Sequence, residues 1–554
     1  MDPTRRTLVG GLAGVAVLGC SGVRPSAAET RAGQDGDERG KWGQDRPRLF
    51  LPPERAEEGP DRFVASPAWL DSASSIYLPT PVTAGAASLC FADGDRSSLA
   101  SLIDTFDALP DLHAEGRQLG TDVVYIVDFW EGRPGQAPKA MRWSKSDYRP
   151  RVGMGGAEAL RRGTDAVRSA GGRTLLYVSG MNLDRDSPLG REHGEDWTLK
   201  SGGVPRKEPY AAEWMPCATV QGWQDHLVDI ARRMGRDYGA DGVHIDSWGN
   251  MRGFKCDDPD HPHDAGDGRA FDSGTVRTVE RMRDAFREGR PDAVVLAEGP
   301  KLGQLFRTLD GCQCWGIHEI ANSWLAGAVG QTNLFAAAWS LDDMHQILAW
   351  GHKWMLPRWW LSAPSGRCVE ALERAIEAEK PGRSAKDRRY DGEAAYRVLH
   401  LWRNAGLVAG KAMPWIADAT PRRWDEGAWF EDAASFETHM QRLKSLAREL
   451  DQAWGGPAQR QAVPAHLAER ARARSSLAAA FGRGTQVDVI ESDNQSYIVR
   501  VFEAGGRRAM TAVNVSDSPI RVNVGGSWRA LVGGRAQGSS VEVGAHDVGL
   551  FAPA

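Results

Sequence analysis

Short apolar runs alternate with longer amphipathic segments from about residue 86 to about residue 360. The clearest runs predict strands at 122–130, 173–180, 242–246 and 293–299, and each is followed by enough chain for a helix. This alternation is typical of parallel strand–helix–strand units. Further strands are predicted at 87–93, 311–319 and 334–340, with an eighth within 350–361.

Two of the intervening helices are defined by apolar stripes with helical spacing. The first stripe consists of Trp223, Leu227, Ile230, Met234 and Tyr238, and the second of Val276, Val279, Met282 and Phe286. Gly239 is predicted to end the first helix and Pro291 the second. Eight strand–helix units predict a (β/α)8 TIM barrel with long loops. A doubly wound open sheet is the alternative, but no Gly-rich phosphate turn follows any predicted strand.

The pattern changes beyond about residue 415. Residues 416–481 predict a charged helical connection, and residues 482–554 contain short alternating strands separated by Gly, Asn and Asp. The second region predicts a small C-terminal antiparallel β-sandwich. The barrel is accordingly assigned to residues 76–415 and a charged, Gly-rich linker to residues 31–75.

The first thirty residues predict an export signal rather than part of the fold. Arg5 and Arg6 form a twin-arginine pattern, and the apolar stretch that follows is too short to span a bilayer. This stretch ends at Cys20 in a sequence that resembles a bacterial lipoprotein cleavage box. We expect a periplasmic or cell-surface lipoprotein that touches the membrane only through its N-terminal lipid. The alternative is a secreted protein with an ordinary signal peptide.

Composition narrows the class of partner. A net charge of −5 over 554 residues gives no reason to expect a nucleic acid. The 21 tryptophans suit sugar rings, whose C–H faces are apolar, although packing in a large core would also explain them. None of the cysteine spacings is the C-x-x-C of a zinc ribbon, and disulfide pairing stays open.

Three predicted strands end in acids, namely Asp128, Asp246 and Glu298. The carboxyl ends of barrel strands meet at one mouth, where active sites lie. An acid at this position must be solvated, paired or used in chemistry, and capping of the next helix is the structural alternative for each one. Because three acids lie on strands that share one mouth, a catalytic or substrate-binding role is favoured over helix capping.

Two carboxylates facing each other across a cleft are what glycosidic bond cleavage requires. Asp246 lies near the polar His244, with its side chain on the same face of the strand, and is the better anion. Glu298 follows the apolar run 293–297, so burial is expected to raise its pKa and suit it to act as the acid.

The pairing of Asp246 with Glu298 on consecutive strands resembles the retaining α-glycosidases of the α-amylase and α-galactosidase superfamily. The segments TDVVYIVDFWEG, GADGVHIDSWG, FKCDDPDHPHDAGDG and VVLAEGP, within residues 85–360, are similar to an uncharacterised bacterial family of glycoside-hydrolase barrels. The resemblance implies a barrel with a C-terminal β-sandwich, an α-linked substrate, Asp246 as nucleophile and Glu298 as acid/base. His244 departs from the amylase pattern, which has Arg at this position.

Chitinase-like barrels provide a second comparison, because their fourth strand ends in DGxDxDxE. Asp241 and Asp246 match the first and third acids of that motif. His244 and Trp248 replace the second acid and the essential Glu, so this interpretation is rejected. Serine-hydrolase chemistry has no support either, because the chain contains no G-x-S-x-G elbow.

Further residues near the predicted mouth are candidates for substrate contact. They are Asp128, Trp130, Asn182, Asp184, His244, Trp248, His261, His263, Trp315, His318 and Glu319. For the tryptophans, packing between barrel and helices is the alternative role. His261 and His263 lie in a polar, Pro-containing loop that could instead bind a metal or simply be hydrogen-bonded. Neither a metal nor a cofactor is predicted.

These observations predict a glycoside hydrolase that acts on an oligo- or polysaccharide through Asp246 and Glu298. The alternative is a glycan-binding surface lipoprotein on a degenerate barrel, because the same tryptophans and loops would serve binding alone.

Overall fold

The computed structural model of the protein describes a large part of the chain. It covers residues 66–80, 98–131, 146–207, 213–249, 252–299, 305, 308–315, 333–338, 340–361, 367–379, 390–391, 393–411, 413, 429–430, 433–454, 462–481, 485–491 and 496–554.

Eight parallel strands form a closed barrel, which confirms the predicted fold. In chain order they are β1 (Ser75–Leu78), β2 (Val123–Ile126), β3 (Arg173–Ser179), β4 (Gly242–Asp246), β5 (Val294–Glu298), β6 (Gly311–Trp315), β7 (Leu334–Ala337) and β8 (Lys353–Pro357). Each strand pairs with the next along the chain, and β1 pairs with both β2 and β8. The strands are almost entirely buried, because the barrel covers one face and the helices cover the other.

The first strand is not the one predicted. Residues 87–93 lie outside the described part of the chain. Ser75–Leu78 is the first strand of the barrel, although Ser75 belongs to the predicted linker. This short run is buried at all four positions and has few apolar residues around it, so its sequence signal is weak.

The helices that surround the barrel include α1 (Leu109–Gln118), α2 (Gly156–Ser169), α3 (Gln221–Arg236), α4 (Gly268–Gly289) and α5 (Leu341–Ala349). The predicted stripes are confirmed, because α3 and α4 turn theirs toward the core. Tyr238, the last residue of the first stripe, is also buried but lies two residues beyond the end of α3. Both helices end before the predicted stop residues, and Gly239 adopts a φ of 69°. None of the helices in the described ranges is long and apolar enough to cross a membrane.

Shorter elements lie in the loops of the barrel. The helical turns are Ala68–Ser72, Leu99–Leu102, Phe106–Ala108, Val152–Met154, Pro188–Glu192, Gly194–Trp197 and Arg358–Leu361. Two small antiparallel pairs join Lys200–Ser201 to Val204–Pro205, and Tyr390–Asp391 to Trp429–Phe430.

The chain continues after the barrel with helices and then antiparallel sheets. The helices are α6 (Cys368–Glu379), α7 (Glu393–Val408), α8 (Ala433–Trp454), α9 (Ala462–Ser476) and α10 (Ala478–Phe481). The strands are β9 (Thr485–Glu491), β10 (Tyr497–Ala504), β11 (Arg507–Asn514), β12 (Ile520–Asn523), β13 (Trp528–Val532), β14 (Arg535–Gln537), β15 (Ser540–Val543) and β16 (Asp547–Pro553). They form a five-stranded sheet, β9-β10-β11-β16-β13, and a three-stranded sheet, β12-β15-β14.

The two C-terminal sheets share an apolar core of their own, which includes Met510 and Phe551 from one sheet and Val522 and Val541 from the other. This arrangement agrees with the predicted C-terminal sheet domain. The domain packs on the barrel beside α5, where Nδ1 of His546 lies 3.0 Å from Oδ1 of Asp342.

Candidate active site

Asp246 and Glu298 are the last residues of the adjacent strands β4 and β5. The strands pair in register up to Ile245 and Ala297, so the two acids lie at the same level of the barrel. Neighbouring strands are about 4.8 Å apart, and side chains at one level of a parallel pair point to the same face. Both acids are half-buried. The structure therefore brings the two predicted catalytic carboxylates together at the C-terminal mouth of the barrel.

Tyr125 on β2 lies within electrostatic range of both acids. Burial raises the pKa of its phenol well above the usual value, and the negative charges of Asp246 and Glu298 raise it further. Both carboxylates are thus close enough to a single buried hydroxyl to act on it electrostatically.

Ser247 follows Asp246 in a left-handed conformation, with a φ of 73°. Few residues other than Gly, Asn or Asp adopt this conformation without strain. It allows the Ser247 N–H to donate a hydrogen bond of 3.1 Å to Oε2 of Glu298. The backbone of one acid-bearing segment therefore positions the side chain of the other.

Gly249 is required by the close approach of the loop after β4 to the end of β5. A Cβ at this position would lie 2.0 Å from the carbonyl oxygen of Glu298 and 2.1 Å from that of Gly299. No side chain fits there without moving the backbone of Glu298.

Tyr177 on β3 is the direct partner of Asp246, because its hydroxyl donates a hydrogen bond of 2.5 Å to Oδ2 of the carboxylate. Its ring stacks on Trp130, with ring centroids 5.4 Å apart and an angle of 13° between the planes. Burial, together with the charge of Asp246, holds the pKa of Tyr177 well above its usual value, so the phenol stays a proton donor.

His244 lies two residues before Asp246 on β4 and is buried. Its Nδ1 is 2.6 Å from the hydroxyl of Tyr125. Burial lowers the pKa of His244 to about 4, against the opposing effects of the Asp246 charge and a hydrogen bond with Gln313. At neutral pH the imidazole is uncharged, so His244 does not supply the positive charge that an arginine at this position would carry.

Asp128, the third predicted rim acid, lies two residues beyond the end of β2. It is only 1% exposed, adopts a φ of 68°, and forms an ion pair with Arg151. Arg151 also donates a hydrogen bond of 3.1 Å from Nε to the carbonyl oxygen of Trp130. These contacts assign Asp128 to the support of the β2 loop, and its burial leaves no surface for a sugar.

Two of the predicted tryptophan platforms are packed inside the protein. Trp130 is 1% exposed and Trp248 is 0% exposed. A Cβ at Gly180 would lie 2.3 Å from the Trp248 ring, so this ring fills the space beside the backbone after β3. Neither ring offers an open face in this conformation. For Trp315 the structure describes the backbone, as the last residue of β6, but not the side chain.

Asn182 and Asp184 follow β3 and are both buried. Oδ1 of Asn182 accepts a hydrogen bond of 2.7 Å from the hydroxyl of Ser179. Oδ1 of Asp184 accepts one of 3.0 Å from the backbone N–H of Asp186 and so stabilises the turn. The remaining predicted site residues, His318, Glu319 and Cys20, lie outside the described residues.

His261 and His263 belong to a second cluster. The structure places them with Cys217 and Cys256 rather than at the carboxylate pair.

Sequence reasoning did not identify Tyr177, Ser247 or Gly249. Tyr177 lies within a predicted strand, two residues before Ser179 at its end, so period-two alternation was an available signal for a side chain facing the mouth. Ser247 and Gly249 had no such signal, because their roles depend on where the end of β5 lies.

Comparison with known proteins supports the fold over most of the chain, and one family model matches a part of it. A family model described as "Domain of unknown function (DUF6259)" matches residues 113–318, which include Asp246 and Glu298. The match covers less than half of the chain. No curated protein matches the sequence.

Solved structures resemble the protein at low sequence identity. The alpha-glucosyl transfer enzyme XgtA is 14% identical, with a TM-score of 0.52 over 88% of this chain and 100% of that chain. The trehalulose synthase MutB from Pseudomonas mesoacidophila MX-45 is 13% identical, with a TM-score of 0.50 over 88% and 100%. An Anoxybacillus alpha-amylase is 9% identical, with a TM-score of 0.48 over 88% and 99%. The first two likenesses show a shared barrel fold with a C-terminal sheet domain.

Proposed function

We propose that this protein is a glycoside hydrolase that cleaves an α-linked O-glycosidic bond with retention, using Asp246 and Glu298. The observation that carries the proposal is the in-register placement of these acids at the ends of β4 and β5. Adjacent strands lie about 4.8 Å apart, which supports the short separation of about 5–5.5 Å between carboxyl groups that the retaining mechanism needs, rather than the about 6.5–9.5 Å of inverting enzymes.

The hydrogen bonds around the two acids fit their proposed roles. Tyr177 donates to Asp246 and fixes one oxygen, which leaves the other free to attack the anomeric carbon. The N–H of Ser247 holds Oε2 of Glu298. Glu298 then protonates the leaving glycosidic oxygen, and its carboxylate takes a proton from the water that hydrolyses the glycosyl–Asp246 ester.

The choice of an α-linked substrate rests on the sequence resemblance to α-amylase-type and α-galactosidase-type enzymes. The alpha-glucosyl transfer enzyme and the trehalulose synthase with similar folds are consistent with it. An oligo- or polysaccharide is the proposed substrate.

The test is hydrolysis of a panel of aryl α- and β-glycosides by the purified protein, with NMR of the first-formed anomer. Retention predicts an α-anomer as the first product of an α-glycoside. Glu298→Gln should abolish turnover of unactivated oligosaccharides and spare part of the turnover of aryl glycosides, because a good leaving group needs little protonation. Asp246→Asn should abolish both.

Two surface variants on α4 serve as matched controls, because Glu280 and Asp284 are exposed. Glu280→Gln and Asp284→Asn make the same chemical changes away from the mouth and should keep full activity. Full activity of Glu298→Gln would contradict the proposal. Glycan binding without release of reducing sugar, unchanged by Asp246→Asn and Glu298→Gln, would instead favour the binding-protein alternative.

We also propose that the protein is exported by its twin-arginine signal and carries lipid on Cys20. The proposal rests on the Arg5-Arg6 pair and the lipoprotein-like box that ends at Cys20. Radiolabelled palmitate should enter the full-length chain in a bacterial host but not a Cys20→Ala variant. A wild-type chain that takes up no label and is recovered free of the membrane would contradict the anchor.

A further inference from the structure

Four side chains with metal-binding atoms meet beside the loop that follows Asp246. Cys217 lies shortly before α3, whereas Cys256, His261 and His263 belong to the loop between β4 and α4. The two sulfurs and one nitrogen from each ring all lie within 4.8 Å of one another. Cys217, Cys256 and His261 are buried, and His263 is half-buried.

The separations between these atoms match a tetrahedral site. Sγ of Cys256 is 3.3 Å from Nδ1 of His261, and Sγ of Cys217 is 3.6 Å from Nε2 of His263. Zinc binds sulfur at about 2.3 Å and imidazole nitrogen at about 2.0–2.1 Å, so tetrahedral angles place S and N about 3.5 Å apart.

The far nitrogen of each imidazole is already oriented by the backbone. Nε2 of His261 lies 2.8 Å from the carbonyl oxygen of Asp196, and Nδ1 of His263 lies 3.0 Å from that of Asp264. A carbonyl oxygen only accepts, so these nitrogens carry the protons. In a neutral ring the other nitrogen then presents a lone pair, and in both rings that nitrogen faces the cysteine sulfurs. Histidines that bind metals have this outer hydrogen bond.

The sulfurs also have donors around them. The N–H of Lys200 lies 3.4 Å from Sγ of Cys256, and Oγ1 of Thr219 lies 3.1 Å from Sγ of Cys217. Such donors stabilise the negative charge that a thiolate ligand brings.

We propose that Cys217, Cys256, His261 and His263 form a structural zinc site. Two thiolates and two imidazoles are a ligand set that Zn²⁺ prefers, and four protein ligands leave no open position for a substrate or water. Zinc neutralises the two thiolate charges that the buried site would otherwise hold. The metal joins the segment before α3 to the loop whose first residues carry Asp246 and Ser247, and so holds this part of the mouth in place.

Another group of possible metal ligands, formed by His345, His466 and Asp547, does not have these features. The Nε2 atoms of the two histidines are 2.9 Å apart and share a hydrogen bond. Asp547 is bound by the guanidinium of Arg470 through contacts of 2.6 and 3.1 Å. A cation there would have to displace that positive charge, so this cluster is a hydrogen-bonded contact.

The direct test is the metal content of the purified full-length protein, measured by plasma mass spectrometry after exchange into zinc-containing and then metal-free buffer. We expect one zinc per chain. Substitution with Co²⁺ should give the strong visible absorption of a tetrahedral cobalt site, together with a thiolate-to-cobalt charge-transfer band. A protein that retains no zinc, or one in which Cys217 and Cys256 form a disulfide, would overturn the proposal.

Variants locate the metal. His263→Ala removes the half-buried ligand and is therefore the change that the fold should tolerate best. It should weaken zinc binding by more than the about 10–100-fold that is lost when a hydrogen-bond partner of a metal ligand is removed. Cys256→Ser should abolish binding. The controls are His193→Ala and Cys368→Ser, of which His193 is half-buried on a neighbouring loop and Cys368 is a buried cysteine outside the cluster. Full retention of zinc by both His263→Ala and Cys256→Ser would overturn the assignment. This readout does not depend on glycosidase activity.

Discussion

The hydroxyl of Tyr177 donates a hydrogen bond of 2.5 Å to Oδ2 of Asp246, and joins the end of β4 to the stacked rings of Tyr177 and Trp130. The Tyr177 ring is held in turn by Trp130, whose backbone carbonyl is bound by Arg151. The orientation of the proposed nucleophile therefore depends on β3 and on the segment that follows β2, as well as on its own strand.

Removal of this hydroxyl should slow the reaction without unfolding the protein. Hydrogen bonds to charged groups contribute about 1.5–3 kcal/mol, so Tyr177→Phe is expected to reduce kcat/KM by about 10–150-fold on a substrate that the wild type cleaves. The measurement is steady-state kinetics on an aryl glycoside. Tyr238→Phe is the matched control, because the Tyr238 hydroxyl binds Arg233 on α3, away from the mouth. Equal rates for Tyr177→Phe and wild type would contradict the assigned role.

A methyl group at Gly249 should displace Glu298. A Cβ there would lie 2.0 Å from the Glu298 carbonyl oxygen, and overpacking of this kind costs about 1–3 kcal/mol. Gly249→Ala is expected to lower the melting temperature and to reduce kcat at least about 10-fold, because Glu298 loses its position. Gly153→Ala is the control, because no atom lies within 4 Å of its added Cβ. Unchanged kcat in Gly249→Ala would show that the ends of β4 and β5 are not in close contact.

The ion pair of Asp128 and Arg151 should be important for stability. Both side chains are almost fully buried, and removal of one partner of a buried pair costs about 3–5 kcal/mol. Arg151→Gln should reduce the free energy of unfolding by this amount in urea denaturation, and addition of Asp128→Asn should restore part of it. Arg162→Gln is the control, because the Arg162–Asp107 pair is exposed and should contribute little to the free energy of unfolding. Equal losses in the two single variants would contradict this role.

The contact of His546 with Asp342 should make stability depend on pH. Burial and the charge of Arg403 oppose the charge on His546, but the hydrogen bond and charge of Asp342, together with a hydrogen bond to Asp517, raise its pKa above the usual 6.5. A pKa raised on folding stabilises the protein fully below pH 6.5, and this stabilisation is lost as the pH rises through the folded value. The wild-type melting temperature should therefore fall from pH 6.5 upward.

The variant His546→Asn isolates this contribution. Asn tolerates the left-handed backbone at this position, where φ is 51°, but cannot be charged. Its melting temperature should be lower than that of the wild type at pH 6 and should change less between pH 6.5 and 9, as measured by calorimetry. His193→Asn, on a barrel loop, should keep the wild-type slope. An unchanged slope in His546→Asn would assign the pH dependence to other groups.

The sequence by itself determined the barrel and the positions of Asp246 and Glu298. Strand and helix periods, and the acids that end apolar runs, are local patterns, and the closure of parallel strands brings their carboxyl ends to one mouth. The stripes of α3 and α4 were predictable for the same reason.

Only the tertiary structure decided which nearby side chains are buried and which residues meet across loops. The local sequence does not distinguish Trp130, Trp248 and Asp128 from exposed residues that follow a strand. Their burial depends on neighbours from other segments of the chain. Cys217 is distant in sequence from Cys256, and only the fold brings it to the histidines. Contacts between distant segments depend on how the chain packs, and the local periodicity of apolar residues does not predict them.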